Sequence, residues 1–251
     1  RQHMPYELDD GIGYRARIGL IVLATDQTIE YEFRRIMNLP GVALYESRIY
    51  NAPTISPESL QDMERGIAKA TEVIMPSLPL DVVTYACTSG AMVIGDDKVR
   101  ARIWEARPGV ACTTPMAATF AAFKALHARR ICFIAPYVDE ICRSMRRYIL
   151  DNGFGVPVMG SWNLEDDTKV ACISENTIGQ TVLELGSSDH VDAVFLACTS
   201  LRLADRVEAL EQELGKPVTS SNHALAWHCL RLAGYKDTVS GFGRLYTRQL
   251  A

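Results

Sequence analysis

The sequence predicts an α/β protein made of two similar halves, each a parallel four-stranded sheet flanked by helices, with a site in the cleft between them. Two observations support this. Short apolar runs alternate with amphipathic stretches along all 251 residues, the pattern of parallel strands joined by crossover helices. Three segments of the first half also recur in the second, in the same order and about 110 residues further along.

Strands are expected at 17–24, 42–49, 80–86, 109–113, 130–135, 155–161, 191–197 and 216–220. Each is a run of the length and apolar content of a buried strand. Between them, helical periodicity covers 28–37, 57–75, 116–128, 140–152, 174–186, 204–214 and 223–233. The connections are short, as compact βα units require, and no low-complexity segment or flexible linker interrupts them.

The repeat is specific to the strand ends. Arg17-Ile18-Gly19-Leu20-Ile21 matches Arg130-Ile131-Cys132-Phe133-Ile134, and Tyr85-Ala86-Cys87-Thr88-Ser89 matches Leu196-Ala197-Cys198-Thr199-Ser200. The stretch beginning at Pro108 matches the one beginning at Pro217. Two lobes related by a pseudo-twofold axis follow: residues 1–113 with a C-terminal return over 217–251, and residues 114–216. Open α/β sheets bind ligands beyond the carboxyl ends of their strands. Asp26, Cys87, Thr88, Ser89, Tyr137, Cys198, Thr199 and Ser200 all fall at such ends, so they are expected to share one pocket.

Composition narrows the function. The chain is 48% hydrophobic with a formal net charge of −4, which suits a protein with a full core and no polyanionic partner. No basic–aromatic stripe suggests nucleic acid, and no apolar run approaches the length of a membrane span. Residues 1–4 have no apolar core of a signal peptide and are left out of the fold argument. Seven cysteines form an odd count without a CxxC pair, which reads as free thiols in a reducing cytoplasm. The five histidines show no ligand spacing with cysteines, so zinc is not expected.

A free cysteine is ordinarily a small core hydrophobe. Cys112, Cys132, Cys142, Cys172 and Cys229 are read that way. Cys87 and Cys198 differ, because each ends a buried strand and is followed by Thr-Ser and a turn into a helix. Helix N-termini there favour an anion and are expected to lower the thiol pKa. The hydroxyls and amides of Thr88, Ser89, Thr199 and Ser200 suit a carboxylate or an enolate oxygen. Two such thiols fit an acid and a base, or a nucleophile and a proton donor, acting on one carbon. His223 is a candidate lining residue and His228 a helix-packing one. Arg48 and Arg202 could clamp a carboxylate if they turned inward.

From Arg17 to about Tyr246 the chain resembles the aspartate/glutamate racemase superfamily, in its maleate cis–trans isomerase and arylmalonate decarboxylase branch. The resemblance rests on the first strand from Ile18, on Ala86-Cys87-Thr88-Ser89, Pro136-Tyr137 and Ala197-Cys198-Thr199, on Ser220-Ser221-Asn222, and on the tail Gly241–Tyr246. It implies two flavodoxin-like lobes, catalytic Cys87 and Cys198, and a small carboxylate substrate held by Thr88, Ser89, Tyr137, Thr199 and Ser200; Asp26, Asp167, Asn222 and His223 are further candidate binding residues. It implies no cofactor. A homo-oligomer, dimer or tetramer, is also expected. In isomerase-like members the first cysteine attacks the double bond and the second handles the proton. In racemases both thiols exchange the α-proton. In the decarboxylase the first position is glycine, so Cys87 argues against decarboxylation alone.

One departure bears on the substrate. Isomerase-like members carry Asn where Asp26 stands, and a second family Asn aligns near Asp167, with Asn163 close by. Carboxylates there would repel a dicarboxylate and attract an ammonium, which points to an amino-acid-like substrate. With Cys198-Thr199-Ser200-Leu201-Arg202 and the Ser221–His228 segment, the combination also resembles ectoine-utilisation proteins, which implies a diaminobutyrate-type compound. Asp26 could equally cap the following helix.

Overall fold

The computed structural model describes residues 2–52 and 56–251, with Pro57 described by its backbone alone. The first sheet contains β1 (Ala16–Leu23), β2 (Val42–Ile49), β3 (Val82–Ala86) and β4 (Ala111–Thr113) in the order β2-β1-β3-β4. The second contains β5 (Arg130–Ala135), β6 (Gly155–Ser161), β7 (Ala193–Leu196) and β8 (Val218–Ser220) in the order β6-β5-β7-β8. All neighbouring strands are parallel, and the two orders are the same. The repeat in the sequence is therefore a repeat of topology.

Two faces of the first sheet are buried, and the strand residues divide between them by alternation. Ile18, Leu20 and Val22 pack with α1 (Ile29–Ile36), α6 (Pro115–Ala125) and α11 (Ser221–Leu232). Ile21 and Leu23, with Val83, Tyr85 and Cys87, face α2 (Pro57–Asp62), α3 (Glu64–Glu72), α4 (Thr88–Ile94) and α5 (Asp96–Ala106). Each fully buried aliphatic or aromatic side chain contributes roughly 1.5–3 kcal/mol, so such runs supply most of the drive that packs helices on both faces of the sheet. The second sheet is packed by α7 (Asp139–Asp151), α9 (Glu175–Gly186) and α10 (Val207–Leu214), with the short α8 (Asp167–Ala171) beside them.

The base of each half is fastened alike. Asp81 Oδ2 accepts from the Arg17 amide at 2.7 Å, and the Asp81 amide donates to the Arg17 carbonyl at 2.9 Å. In the second half Asp192 Oδ2 accepts from the Arg130 amide at 2.8 Å, and its own amide donates to the Arg130 carbonyl at 2.7 Å. These contacts set the register of β3 and β7, and hence the height at which each cysteine emerges.

Three expectations shift. The stretch expected as one helix over 57–75 is two, divided at Met63. Two helices, α4 and α5, fill 88–106, where no helix was expected, because Gly90 and Gly95 obscure the periodicity. The lobe boundary near 217 moves: β8 pairs with β7 in the second sheet, and the return to the first sheet starts with α11 at Ser221. Among the described residues no helix is long and apolar enough to cross a membrane.

Candidate active site

The carboxyl ends of β1, β3, β5 and β7 surround one pocket, lined by Leu23, Asn51, Ala52, Ser59, Leu60, Met63, Cys87, Thr88, Ser89, Tyr137, Asp167, Cys198, Thr199 and Ser200. It thus gathers both expected cysteines and the Thr-Ser pairs behind them. The lining contains one carboxylate and no Lys, Arg or His among the described residues.

Cys87 is the N-cap of α4, and its sulfur accepts from the Gly90 amide at 3.2 Å, with the Ser89 hydroxyl 3.8 Å away. Gly90 has to be glycine for a local reason. A Cβ there would lie 2.5 Å from the Tyr85 hydroxyl and 2.9 Å from the Cys87 sulfur. Cys198 is held differently. It is followed by a turn and a 3₁₀ segment (Ala204–Arg206) rather than directly by an α-helix, and its φ of 114° is rare for a residue with a side chain. Its amide donates to Ser221 Oγ at 3.1 Å, and the same oxygen accepts from Thr88 Oγ1 at 2.8 Å. Ser221 therefore joins the loops of the two thiols.

The expectation of lowered thiol pKa values is not met. Burial pushes Cys87 up to about 11, against the Gly90 amide and the Ser89 hydroxyl, while the charge of Asp167 adds to the rise. Burial pushes Cys198 up further, again with Asp167 contributing, and the Tyr137 hydroxyl opposes it. Desolvation outweighs the helix terminus, so burial favours the protonated form of both thiols.

Asp167 is the first residue of α8. Its Oδ1 accepts from Ser200 Oγ at 2.7 Å and its Oδ2 from Thr25 Oγ1 at 2.9 Å. Asn51 in turn donates to Thr25 Oγ1 at 2.8 Å. The chain Asn51–Thr25–Asp167–Ser200 thus crosses from one half to the other. Asp26 lies behind the lining, 3% exposed. One oxygen caps α1, accepting from the Thr28 and Ile29 amides at 2.8 and 2.9 Å, and the other has no hydrogen-bond partner. Burial raises its pKa; the capping amides and the Thr199 hydroxyl pull it down, and Asp167 adds to the rise. Asp26 therefore caps α1 and keeps its second oxygen buried behind the lining rather than on it.

Four expected residues lie elsewhere. Asn222 is fully buried on α11, donating to Glu32 Oε2 at 2.7 Å and to the Thr199 carbonyl at 2.8 Å. His223 is also fully buried, between Thr219 Oγ1 at 3.0 Å and the Phe242 carbonyl at 2.8 Å, and burial lowers its pKa to about 4. Neither lines the cleft, because α11 turns these positions into its own packing. Arg48 grips the Leu23, Ala24 and Asp26 carbonyls and Glu30 from outside, and Arg202 contacts the Ile173 carbonyl and Glu175. Of the five cysteines read as structural, Cys132, Cys142 and Cys229 are buried and Cys112 partly so, whereas Cys172 is exposed.

Sequence reasoning missed Tyr85, Asn51, Ser59 and the apolar wall of Leu60 and Met63. Tyr85 looked like an ordinary strand residue, yet its hydroxyl stands beside the Cys87 sulfur. Its place immediately before Ala86-Cys87 in the repeat was the available signal. Among the described residues no group of three His, Cys, Asp or Glu could hold a metal ion.

Twinned parallel sheets, with a buried thiol from each half meeting in one pocket, define a class of two-lobed α/β enzyme. The chain belongs to the arylmalonate decarboxylase family, whose model matches residues 64–246. Maleate isomerase of Nocardia farcinica is 27% identical over 244 residues, covering 94% of this chain and 97% of the relative. Arylmalonate decarboxylase of Bordetella bronchiseptica is 27% identical over 142 residues, covering 55% of this chain and 58% of the relative. A structure of the Nocardia farcinica maleate cis–trans isomerase with a covalently bound succinylcysteine intermediate superposes with a TM-score of 0.81 at 27% identity. It covers 92% of this chain and 98% of the other.

Proposed function

We propose that this protein is a cofactor-independent isomerase or racemase in which Cys87 and Cys198 act on one small, amino-acid-like carboxylate. The carrying observation is the pocket itself: two thiols, Asp167 on the lining and the unpartnered oxygen of Asp26 behind it, with no cationic side chain on the described lining. A dicarboxylate would meet two carboxylates and no counter-charge. A zwitterion places its ammonium near Asp167 and Asp26 and its carboxylate on the Thr-Ser amides and hydroxyls. A diaminobutyrate-type compound fits the same description.

The upward shift of both thiol pKa values fits a defined order of events. Burial holds both thiol pKa values up and Asp167 adds to the rise, so a bound ammonium that offsets the charge of Asp167 lowers the cost of forming a thiolate. In the two-base route that thiolate takes the α-proton, and the resulting carbanion is held as an enolate by nearby donors. The other thiol then returns a proton to the same carbon. In the covalent route the Cys87 thiolate adds to a double bond, and Cys198 protonates the adjacent carbon. Rotation about the new single bond precedes elimination of the thiolate. The covalent intermediate named for the Nocardia farcinica relative supports this second route.

The family model favours a second reading, decarboxylation of a malonate-type acid. NMR in D₂O of amino acids (2,4-diaminobutyrate included), maleate and an arylmalonate separates the readings. Deuterium at Cα with loss of optical activity supports the two-base reading, and maleate-to-fumarate conversion with no Cα exchange overturns the amino-acid reading. Release of CO₂ that survives Cys87→Gly but not Cys198→Ala would establish the decarboxylase.

A further inference from the structure

Glu32 lies on α1, outside the cleft, and is 2% exposed. Its Oε1 accepts from the Leu203 and Ala204 amides at 2.6 and 2.7 Å, and its Oε2 accepts from Asn222 Nδ2 at 2.7 Å. The same Asn222 nitrogen donates to the Thr199 carbonyl at 2.8 Å. One carboxylate from the first half thereby holds both ends of the turn that follows Cys198 in the second. That turn starts from the unfavourable φ of Cys198, a conformation that persists only where its surroundings fix it.

We propose that Glu32, through Asn222 and the 199–204 turn, is a positioning residue that holds Cys198 in its working conformation, and that it does so as a carboxylate. All three of its partners are donors, so a proton on Glu32 would face no acceptor. Asn222 Oδ1 has no partner, so the amide can turn its oxygen towards a protonated Glu32, and in doing so it releases the Thr199 carbonyl. Burial raises the Glu32 pKa to about 7, against the pull of its three donors. Several other groups face it or share its crevice. These are Tyr31 on its own helix, Glu175 on α9, Arg202, Asp205 and Arg206 from the turn, and Tyr246, packed on His223, from the C-terminal segment.

The test is site-resolved alkylation of the full-length protein by iodoacetamide, read by mass spectrometry as the ratio of Cys198 to Cys87 labelling. A buried thiol is labelled through local opening, so a loosened turn labels faster. Both thiols titrate above the range studied, so their thiolate fractions fall together with pH and cancel in the ratio. Glu32→Gln is expected to raise the ratio by about tenfold, the weight of one charge-assisted hydrogen bond, with Cys87 unchanged. In the unsubstituted protein the ratio is expected to rise as pH falls through about 7, and to be flat in Glu32→Gln. Equal changes at both thiols, no change at either, or a pH profile retained in Glu32→Gln would overturn the proposal. Should Glu32→Gln not fold, Asn222→Ser keeps the carboxylate, removes its link to Thr199 and gives the same comparison. The readout needs no substrate, so it is independent of the proposed function.

Discussion

Cys87 and Cys198 occupy equivalent places in the repeat, but their backbones are not equivalent. Cys87 has a φ of −146°, ordinary extended geometry before a helix, whereas Cys198 has a φ of 114°. The conformation at Cys198 stores roughly 1–3 kcal/mol, which a glycine would release. Replacing each cysteine by Ala and by Gly gives a direct comparison. At position 198 the Gly variant is expected to be more stable than the Ala variant by about 1 kcal/mol; at position 87 that advantage is expected to be absent. Chemical denaturation midpoints of the four variants check this. The same ranking at both sites would mean that the strain at Cys198 is not stored.

Among the elements, α11 reaches the strand ends of both halves. Its His223 contacts Thr219 at the end of β8, and its His228 Nδ1 lies 2.7 Å from Thr113 Oγ1 at the end of β4. Burial lowers both histidines to about 4, so the folded protein binds fewer protons than the unfolded chain between that value and their ordinary pKa near 6.5. Their contribution to stability is therefore full above about 6.5 and is lost as pH falls towards 4. His228→Gln is expected to flatten the fall of Tm over that interval, and an unchanged slope would contradict the assignment. His223 also shows what was hard to read in the sequence. It follows a strand end at the right distance for the cleft, but the direction of a side chain on a helix depends on what that helix packs against. The strands were legible because period-two burial on a doubly covered sheet leaves uninterrupted apolar runs. The helices α4 and α5 were not, since Gly90 and Gly95 serve the site and a junction rather than helical periodicity. The lowered thiol pKa expected from a helix N-terminus failed for a related reason: the depth of burial is set by both lobes and is invisible in either motif.

At the scale of the molecule, the two halves are joined through side chains as well as by the polypeptide. Met116, Phe120 and Phe123 of α6 pack into the core of the second sheet, while Ala118, Ala122 and Ala125 of the same helix pack against the first. Thr25–Asp167, Thr28–Ser200 and Glu32–Leu203 add polar links between halves. Unfolding is accordingly expected to be one cooperative transition, with coincident far-UV and near-UV signals and a single calorimetric peak. Two resolved peaks would show that the lobes are independent. The repeat was fully legible in the sequence, and the pairing of Cys87 with Cys198 followed from it. The links between halves were not, because a repeat shows which residues are alike in the two halves and not which residues of one half face the other.

The elevated thiol pKa values have a consequence for durability. Peroxides and other oxidants attack thiolates far faster than thiols, and a cysteine becomes sulfenic acid in proportion to its thiolate character and its access. Burial, with a neighbouring carboxylate adding to it, favours the protonated form of both sulfurs, which is the chemically quieter one. On the proposed function, oxidation of the pair is expected to be slow until a ligand that favours the thiolate enters the cleft, where its own bulk covers the sulfur.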